Sequence, residues 1–316
     1  MYANPTPRRC PMPARILITG GAGTLGQALA PVLLERGDQV RALDIREPTK
    51  PTPGVEWVTA DLREATVMAQ AVEGVDAIVH AAAWHGIHLR DHPAKDFWEL
   101  NVDATYGVYA AAADAGIERI VLCSTMGVYG ESRRPAGDGP AVRIHERLPL
   151  LPGDVYGLSK VLAEQTAAYF DRARQVRGVA LRFGMFVPEP FLHAGIRFLY
   201  GGVDERDVAA AVLAALEALR DRPAGRFDTF NIESRLPYTE DDARLLRTDP
   251  MTVLEHHWPD APSLLEAAGA LPWGPINEWY DIAKAGDELS WQPRYGFPEF
   301  LEALRSGRTE IGDSSS

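Results

Sequence analysis

The sequence predicts an α/β fold, a doubly wound parallel sheet with a smaller C-terminal lobe. Three observations predict it. Short apolar runs rich in Ile and Val alternate with helix-length segments up to about residue 184, and such alternation builds βαβ units around a parallel sheet covered on both faces. A glycine-rich turn, Thr19-Gly20-Gly21-Ala22-Gly23-Thr24-Leu25-Gly26, joins the first apolar run to the first helical pattern. The 316 residues exceed a single domain of about 150. Beyond residue 184 the pattern loosens around Pro188, Pro190, Pro237, Pro250 and further prolines.

The elements follow in order. The apolar run Arg15–Thr19 ends in glycines and reads as a buried strand. Residues 28–34 form a helical pattern that stops at Gly37. Strands are expected at Gln39–Asp44, 56–59, 77–81 and 119–124, with helices over 64–72 and 93–115 between them. A helix over 155–175 leads to a sixth strand at 179–183, and 204–219 reads as a further helix. Residues 233–300 read as short helices and loops. The crossovers are expected to be right-handed.

Composition excludes several function classes. Hydrophobic residues are 46% and charged residues 24%, an ordinary soluble make-up. With 32 basic and 44 acidic residues the net charge is −12, which argues against nucleic acid and anionic membranes as partners. No apolar run approaches the ~18 residues of a membrane span. The two cysteines, Cys10 and Cys123, do not make a disulfide framework. Residues 1–13 carry Arg8 and Arg9 but no apolar segment after them, so they read as a disordered leader rather than a secretory signal. A reducing cytoplasm is the expected compartment.

The glycine turn contains both G-x-G-x-x-G (Gly21, Gly23, Gly26) and G-x-x-G-x-x-G (Gly20, Gly23, Gly26). Glycines let the backbone turn tightly and approach a pyrophosphate, and the helix that follows offers its N-terminus to the anion. The dinucleotide fingerprint also needs an acid at the end of the second strand, roughly 20 residues on, for the ribose 2′-hydroxyl. Asp44 stands there. A carboxylate repels a 2′-phosphate, so NAD is expected over NADP, although Arg46 offers a phosphate the opposite charge.

Tyr156 and Lys160 lie four residues apart early in a predicted helix, hence on one face. A free tyrosine titrates near 10. A neighbouring ammonium is expected to lower that by roughly 1–3 units, which suits proton exchange with a substrate hydroxyl or carbonyl. Ser124 and Thr125 at a strand end supply hydroxyls to orient that oxygen. His85, His88 and His92 follow the fourth strand, but no Cys or acid stands at ligand spacing, so no metal is expected. Trp84, Trp98 and Trp258 read as packing residues, and His256-His257 as a helix end.

Together these motifs resemble the short-chain dehydrogenase/reductase superfamily, in its extended branch of nucleotide-sugar epimerases, dehydratases and related dehydrogenases. The resemblance covers about residues 14–305. The family's T-G-x-x-G-x-x-G corresponds to residues 19–26, including Thr24 and Leu25, and its strand-2 acid to Asp44. Its adenine-contacting D-L corresponds to Asp61-Leu62, and its H-x-A-A to His80-Ala81-Ala82-Ala83. Its N-V-x-G-T appears as Asn101-Val102-Asp103-Ala104-Thr105, with Ala in place of Gly. Its S-S/T-x-x-V-Y-G appears as Ser124 to Gly130, which makes Thr125 the implied catalytic hydroxyl and Ser124 its neighbour. Residues 280–293 resemble the branch's late K-x-x-x-x-L-G-W-x-P segment, with Ser290 for Gly.

The resemblance implies a Rossmann core and bound NAD. It implies catalysis by Tyr156, Lys160 and Thr125, with Asn101 steadying Lys160 through water. It also implies a small-molecule substrate lined by His85 and Met126, and a homodimer through the helices holding Asn101 and Tyr156. Two departures narrow it. Met126-Gly127 replace the Asp-Glu of the 4,6-dehydratases, so the acid for water elimination is missing. Only about twenty residues separate Arg182 from Asp204, which leaves little chain to wrap a nucleotide. Residues 182–190 (RFGMFVPEP) are similar to the R-I-G-x-x-x-P-E-P of uronate dehydrogenases, which implies that Arg197 grips a substrate carboxylate. The expected reaction is oxidation of a free sugar, sugar acid or similar small alcohol by hydride transfer to NAD; a nucleotide-sugar 4-epimerase is the alternative. The expected organisation is a leader (1–13), an NAD-binding core (14–184), a region (185–305) that completes the core over 203–232 and forms the substrate lobe, and a tail (306–316).

Overall fold

The computed structural model describes residues 13–312. Cys10 and most of the expected leader lie outside them. Nine strands occur among the described residues: β1 (Arg15–Thr19), β2 (Gln39–Asp44), β3 (Val55–Thr59), β4 (Ala77–His80), β5 (Arg119–Thr125), β6 (Val142–Ile144), β7 (Arg177–Phe183), β8 (Asp228–Ile232) and β9 (Glu278–Tyr280). Seven form one sheet in the order β3-β2-β1-β4-β5-β7-β8, with every neighbouring pair parallel. The order reverses between β1 and β4, and the crevice beyond the carboxyl ends of strands at such a point is where open α/β sheets bind ligands. β6 and β9 pair separately.

The helices are α1 (Thr24–Glu35), α2 (Ala65–Ala71), α3 (Ala94–Phe97), α4 (Ala104–Asp114), α5 (Val155–Arg174), α6 (Phe191–Arg197), α7 (Glu205–Asp221), α8 (Ala243–Thr248), α9 (Pro250–His257), α10 (Ala261–Ala268), α11 (Ala283–Leu289) and α12 (Phe297–Arg305). Strand side chains alternate between faces, so β1 feeds both layers of the core. Ile16 and Ile18 pack with Leu29 and Leu33 of α1 and Val212 and Leu216 of α7. Leu17 packs on the other face with Val108 and Tyr109 of α4 and Phe170 of α5. A third cluster, centred on Leu246, Leu254, Leu265, Phe297 and Phe300, holds the C-terminal lobe together.

The structure departs from expectation in five places. The helix expected at 28–34 begins at Thr24, hidden from pattern reading by the glycines before it. The expected helix over 93–115 is broken: α3 widens into a π turn at Trp98–Asp103 before α4, and π turns often mark functional positions. Here the turn carries Asn101. β8 adds a seventh strand to the sheet, although its run of five residues is too short to stand out among the prolines. β6 and β9 are three-residue strands that only tertiary pairing defines. The segment expected as a tail from 306 is packed as far as 312: Arg206 donates to the Ile311 carbonyl at 2.9 Å, and Ile311 lies against the lobe core.

Candidate active site

The glycine turn sits at the switch point. Gly20 has φ +75°, and a Cβ there would lie 2.7 Å from the Ala82 backbone nitrogen. A Cβ on Gly26 would run into the Gly21 carbonyl. The turn therefore presents bare backbone. α1 starts behind Gly23 with no side-chain cap and no acid in its first turn. Its open N–H groups leave an anion site of the kind that seats a pyrophosphate, so these residues fit a dinucleotide. Asp44 stands at the predicted place and also closes the turn. One carboxylate oxygen accepts from the Ala22 N–H at 3.0 Å, the other from the Arg46 N–H at 3.0 Å. The Arg46 side chain is 72% exposed, 3.7 Å from Asp44.

Ala81 and Ala82 run alongside this turn, tied to Thr19 through its carbonyl and its hydroxyl, with Ala83 next in the chain. Beneath them lies a buried hydrogen-bond chain. Thr105 Oγ1 donates to the Asn101 carbonyl, so it accepts from His80 Nε2 at 2.9 Å. His80 Nδ1 is then the acceptor for Thr19 Oγ1 at 2.7 Å. Both ring nitrogens are satisfied in the neutral form. Burial, then the Lys160 ammonium, pushes the His80 pKa down to about 3. The unfolded chain binds that proton near pH 6.5, so His80 costs stability as pH falls below about 6.5, by up to about 1.4 kcal/mol per pH unit. Urea unfolding at pH 7.5 and 5.5 is expected to show this loss in the wild type and a smaller one in His80→Gln; equal losses would refute the assignment.

Tyr156 is the second residue of α5. Asp154 caps that helix, accepting from the Gly157 N–H at 2.7 Å. The tyrosine ring lies against Gly86 and Gly127, which would bring a Cβ within 3.3 and 3.8 Å of it. Burial pushes the Tyr156 pKa up to about 12, and a hydrogen bond with the Thr125 hydroxyl pulls against that rise. Lys160, 4% exposed, donates to the Cys123 carbonyl at 2.9 Å, and burial lowers it to about 8. Thus Thr125, Tyr156 and Lys160 lie together where β5 ends. The expected sign is corrected: burial sets the direction, and the phenol is protonated at neutral pH. The His85 ring stands 6.1 Å from the Tyr156 ring. Desolvation, then the Lys160 charge, holds His85 well below the usual imidazole range. Trp84 stacks on His92 at 3.8 Å as a packing residue.

Six predicted residues have other partners. Ser124, expected to orient the substrate, donates to Glu164 at 2.6 Å and turns its proton away from the site. Asn101, expected to steady Lys160 through water, bonds the Trp84 N–H and carbonyl and Ser159 Oγ, bracing the His85 loop against α5. Asp61, expected to contact adenine, is gripped by the backbone and guanidinium of Arg63. Leu62 is buried in the core. Arg197, expected to grip a carboxylate, has its fork filled by Glu189 at 3.0 and 2.8 Å and lies over the Trp273 ring. Met126 caps the neighbouring wall, where Tyr280 donates to its sulfur at 3.2 Å.

Residues that sequence reading overlooked support the site from below. Glu164 and Arg182 form a bidentate pair, 2.9 and 2.7 Å, with side chains 3% and 4% exposed. Arg182 also donates to Tyr129, which donates to Asn231. Asn231 reaches the Ile144 and Asp281 carbonyls of the lobe. The network thus ties α5, one turn past Lys160, to β5, β7, β8 and the lobe. The signal for Glu164 was present: it follows Lys160 by four residues on the same helix face. Glu233, 1% exposed, has no hydrogen-bond partner for either oxygen among the described residues.

A family model, the NAD dependent epimerase/dehydratase family, matches residues 16–189, more than half of the chain. The chain belongs to this family. Family members among its relatives include a uronate dehydrogenase of Pseudomonas putida, 34% identical over 56% of this chain and 62% of the relative. An L-arabinose 1-dehydrogenase (NAD(P)(+)) of Haloferax volcanii is 33% identical over 54% of this chain and 66% of the relative. The matches thus span less than two thirds of these curated relatives. Among solved structures, a short-chain dehydrogenase/reductase superfamily protein from Agrobacterium tumefaciens with bound NAD is 24% identical, with a TM-score of 0.69 over 92% of this chain and 96% of that one. A UDP-galactose 4-epimerase is 23% identical, with a TM-score of 0.66 over 92% and 97%. At these identities the structural likeness concerns the fold.

Proposed function

We propose that the chain is an NAD-dependent dehydrogenase that oxidises a hydroxyl of a free sugar, sugar acid or similar small molecule. The observation that carries this reading is the cluster of Thr125, Tyr156 and Lys160 beside an uncapped, glycine-lined helix N-terminus. Bound NAD supplies the hydride acceptor. Gly20, Gly23, Thr24 and Gly26 offer backbone to its pyrophosphate, and Asp44 favours NAD over NADP at its ribose. Thr125 orients the substrate oxygen, the Lys160 ammonium stabilises the Tyr156 phenolate, and that phenolate takes the substrate's proton and becomes the phenol.

The short stretch between β7 and α7 supports a free substrate over a nucleotide-linked one. It is closed on itself by the Glu189–Arg197 pair, which leaves it no fork for a diphosphate. Trp98, Tyr106, Leu158 and Tyr169 are exposed apolar side chains on and beside α4 and α5, and they support a homodimer through these helices. No helix among the described residues is long and apolar enough to cross a membrane; a cytoplasmic location belongs to the same reading. The test is NADH fluorescence from purified protein with NAD and a panel of sugars, uronic acids and UDP-sugars. NADH from a free sugar or acid is expected. Conversion of a UDP-sugar to its epimer without NADH would move the assignment to epimerase.

A further inference from the structure

A cavity of about 360 Å³ is lined by Gly127, Glu131, Arg133, Arg134, Asp154 and Glu278, among others. It adjoins the catalytic centre. Gly127 separates the two with bare backbone: a Cβ there would stand 3.4 Å from Thr125 Oγ1 and 3.8 Å from Tyr156 Cε1. A cavity of this size lies at the small end of small-molecule pockets, about 300–1,000 Å³.

Its chemistry is that of hydroxyl recognition. The lining contributes guanidinium and amide donors and carboxylate acceptors, and no aromatic ring. A sugar hydroxyl both donates and accepts, so it can bridge an Arg–Glu pair without breaking it. A carboxylate only accepts, and it needs a cation not already neutralised. Among the described residues each guanidinium that lines this cavity already has a carboxylate partner, although Arg133 Nε has no hydrogen-bond partner. Arg134 pairs with Glu131 at 2.9 Å. Arg133 donates to Tyr280 at 3.1 Å and lies 3.4 Å from Glu278. Asp154 adds a further negative charge, and Arg197 is held by Glu189. Glu233 is buried behind Arg133 and Glu278, whose charges both act on it.

We propose that this cavity holds the far end of a neutral, hydroxyl-rich sugar, and that Arg133 and Glu278 are specificity residues that disfavour a substrate carboxylate. The inference rests on the dehydrogenase reading and deepens it. Among the substrates that reading allows, it selects the neutral sugars over the sugar acids.

The test uses matched pairs that differ only at C6: galactose and galacturonate, glucose and glucuronate, mannose and mannuronate. With NAD in excess, the best hexose is expected to exceed its uronate at least tenfold in kcat/KM. Glu278→Gln and Arg133→Gln are expected to raise its KM at least fivefold with kcat within twofold, and Glu278→Asp to restore much of the loss. A uronate used as well as its hexose, or unchanged KM in both Gln variants, would overturn the proposal while leaving the dehydrogenase reading intact. The wild-type comparison stands even if a variant fails to fold. If no sugar yields NADH, the dehydrogenase reading falls. Calorimetric titration of the NAD-supplied protein with the same pairs then decides the pocket. Hexose binding that Glu278→Gln weakens supports it, and binding of the uronate alone, or of neither, overturns it.

Discussion

Replacing Tyr156 with Phe is expected to lower turnover about 10²–10⁴-fold, the usual contribution of a positioned proton acceptor, while NAD binding persists. The ring keeps its packing against Gly86 and Gly127, and the glycine turn is untouched. Only the proton acceptor is lost. The pH dependence has a definite sign. Burial pushes the Tyr156 pKa up to about 12, so at neutral pH the group is the phenol. Oxidation needs the phenolate, and its rate is expected to rise with pH above 7. Steady-state kinetics of NADH formation from pH 6 to 10, with fluorescence titration of NAD into the Phe variant, check both points. A variant keeping more than a tenth of wild-type turnover would remove Tyr156 from the chemistry.

The second large effect is on stability. Arg182→Met is expected to destabilise the protein by about 3–5 kcal/mol, because it strands a buried carboxylate. Glu164 would lose both guanidinium contacts and keep only Ser124. The double variant Glu164→Leu/Arg182→Met is expected to recover much of the loss, since replacing both partners by apolar groups leaves no uncompensated charge. Urea unfolding of the wild type, each single variant and the double variant measures the cycle. A single-variant loss below about 1 kcal/mol would mean that solvent reaches the pair.

What could be read from the sequence was what local pattern encodes. β1, β2, β5 and β7 are apolar runs bounded by turns, and the glycine turn, Asp44, Tyr156 and Lys160 carry fixed spacings. In the structure Asp44 closes the glycine turn, while Tyr156 and Lys160 lie at the end of β5. What could not be read was long-range pairing. Arg197 looked free because Glu189, eight residues earlier, reaches it only when the loop folds onto the end of α6. The bond from Ser124 was hidden because Glu164, its partner, lies 40 residues away. The partners of Asn101 were hidden because nothing local shows that the chain widens to a π turn and aims its amide at Trp84. Titration escaped for the same reason. Spacing predicts that Lys160 lowers Tyr156, but burial depends on the whole fold, and it decides the direction.

The central claim is that the hydride leaves with the cofactor. The direct measurement is the ratio of NADH released to sugar consumed, with NAD in large excess and the best substrate at limiting concentration. A ratio of one is expected, with the oxidised sugar as product. Complete conversion of the sugar to an epimer with a ratio near zero would contradict it, because the hydride would then be returned to the sugar within one binding event, with Tyr156 and Lys160 serving only its proton.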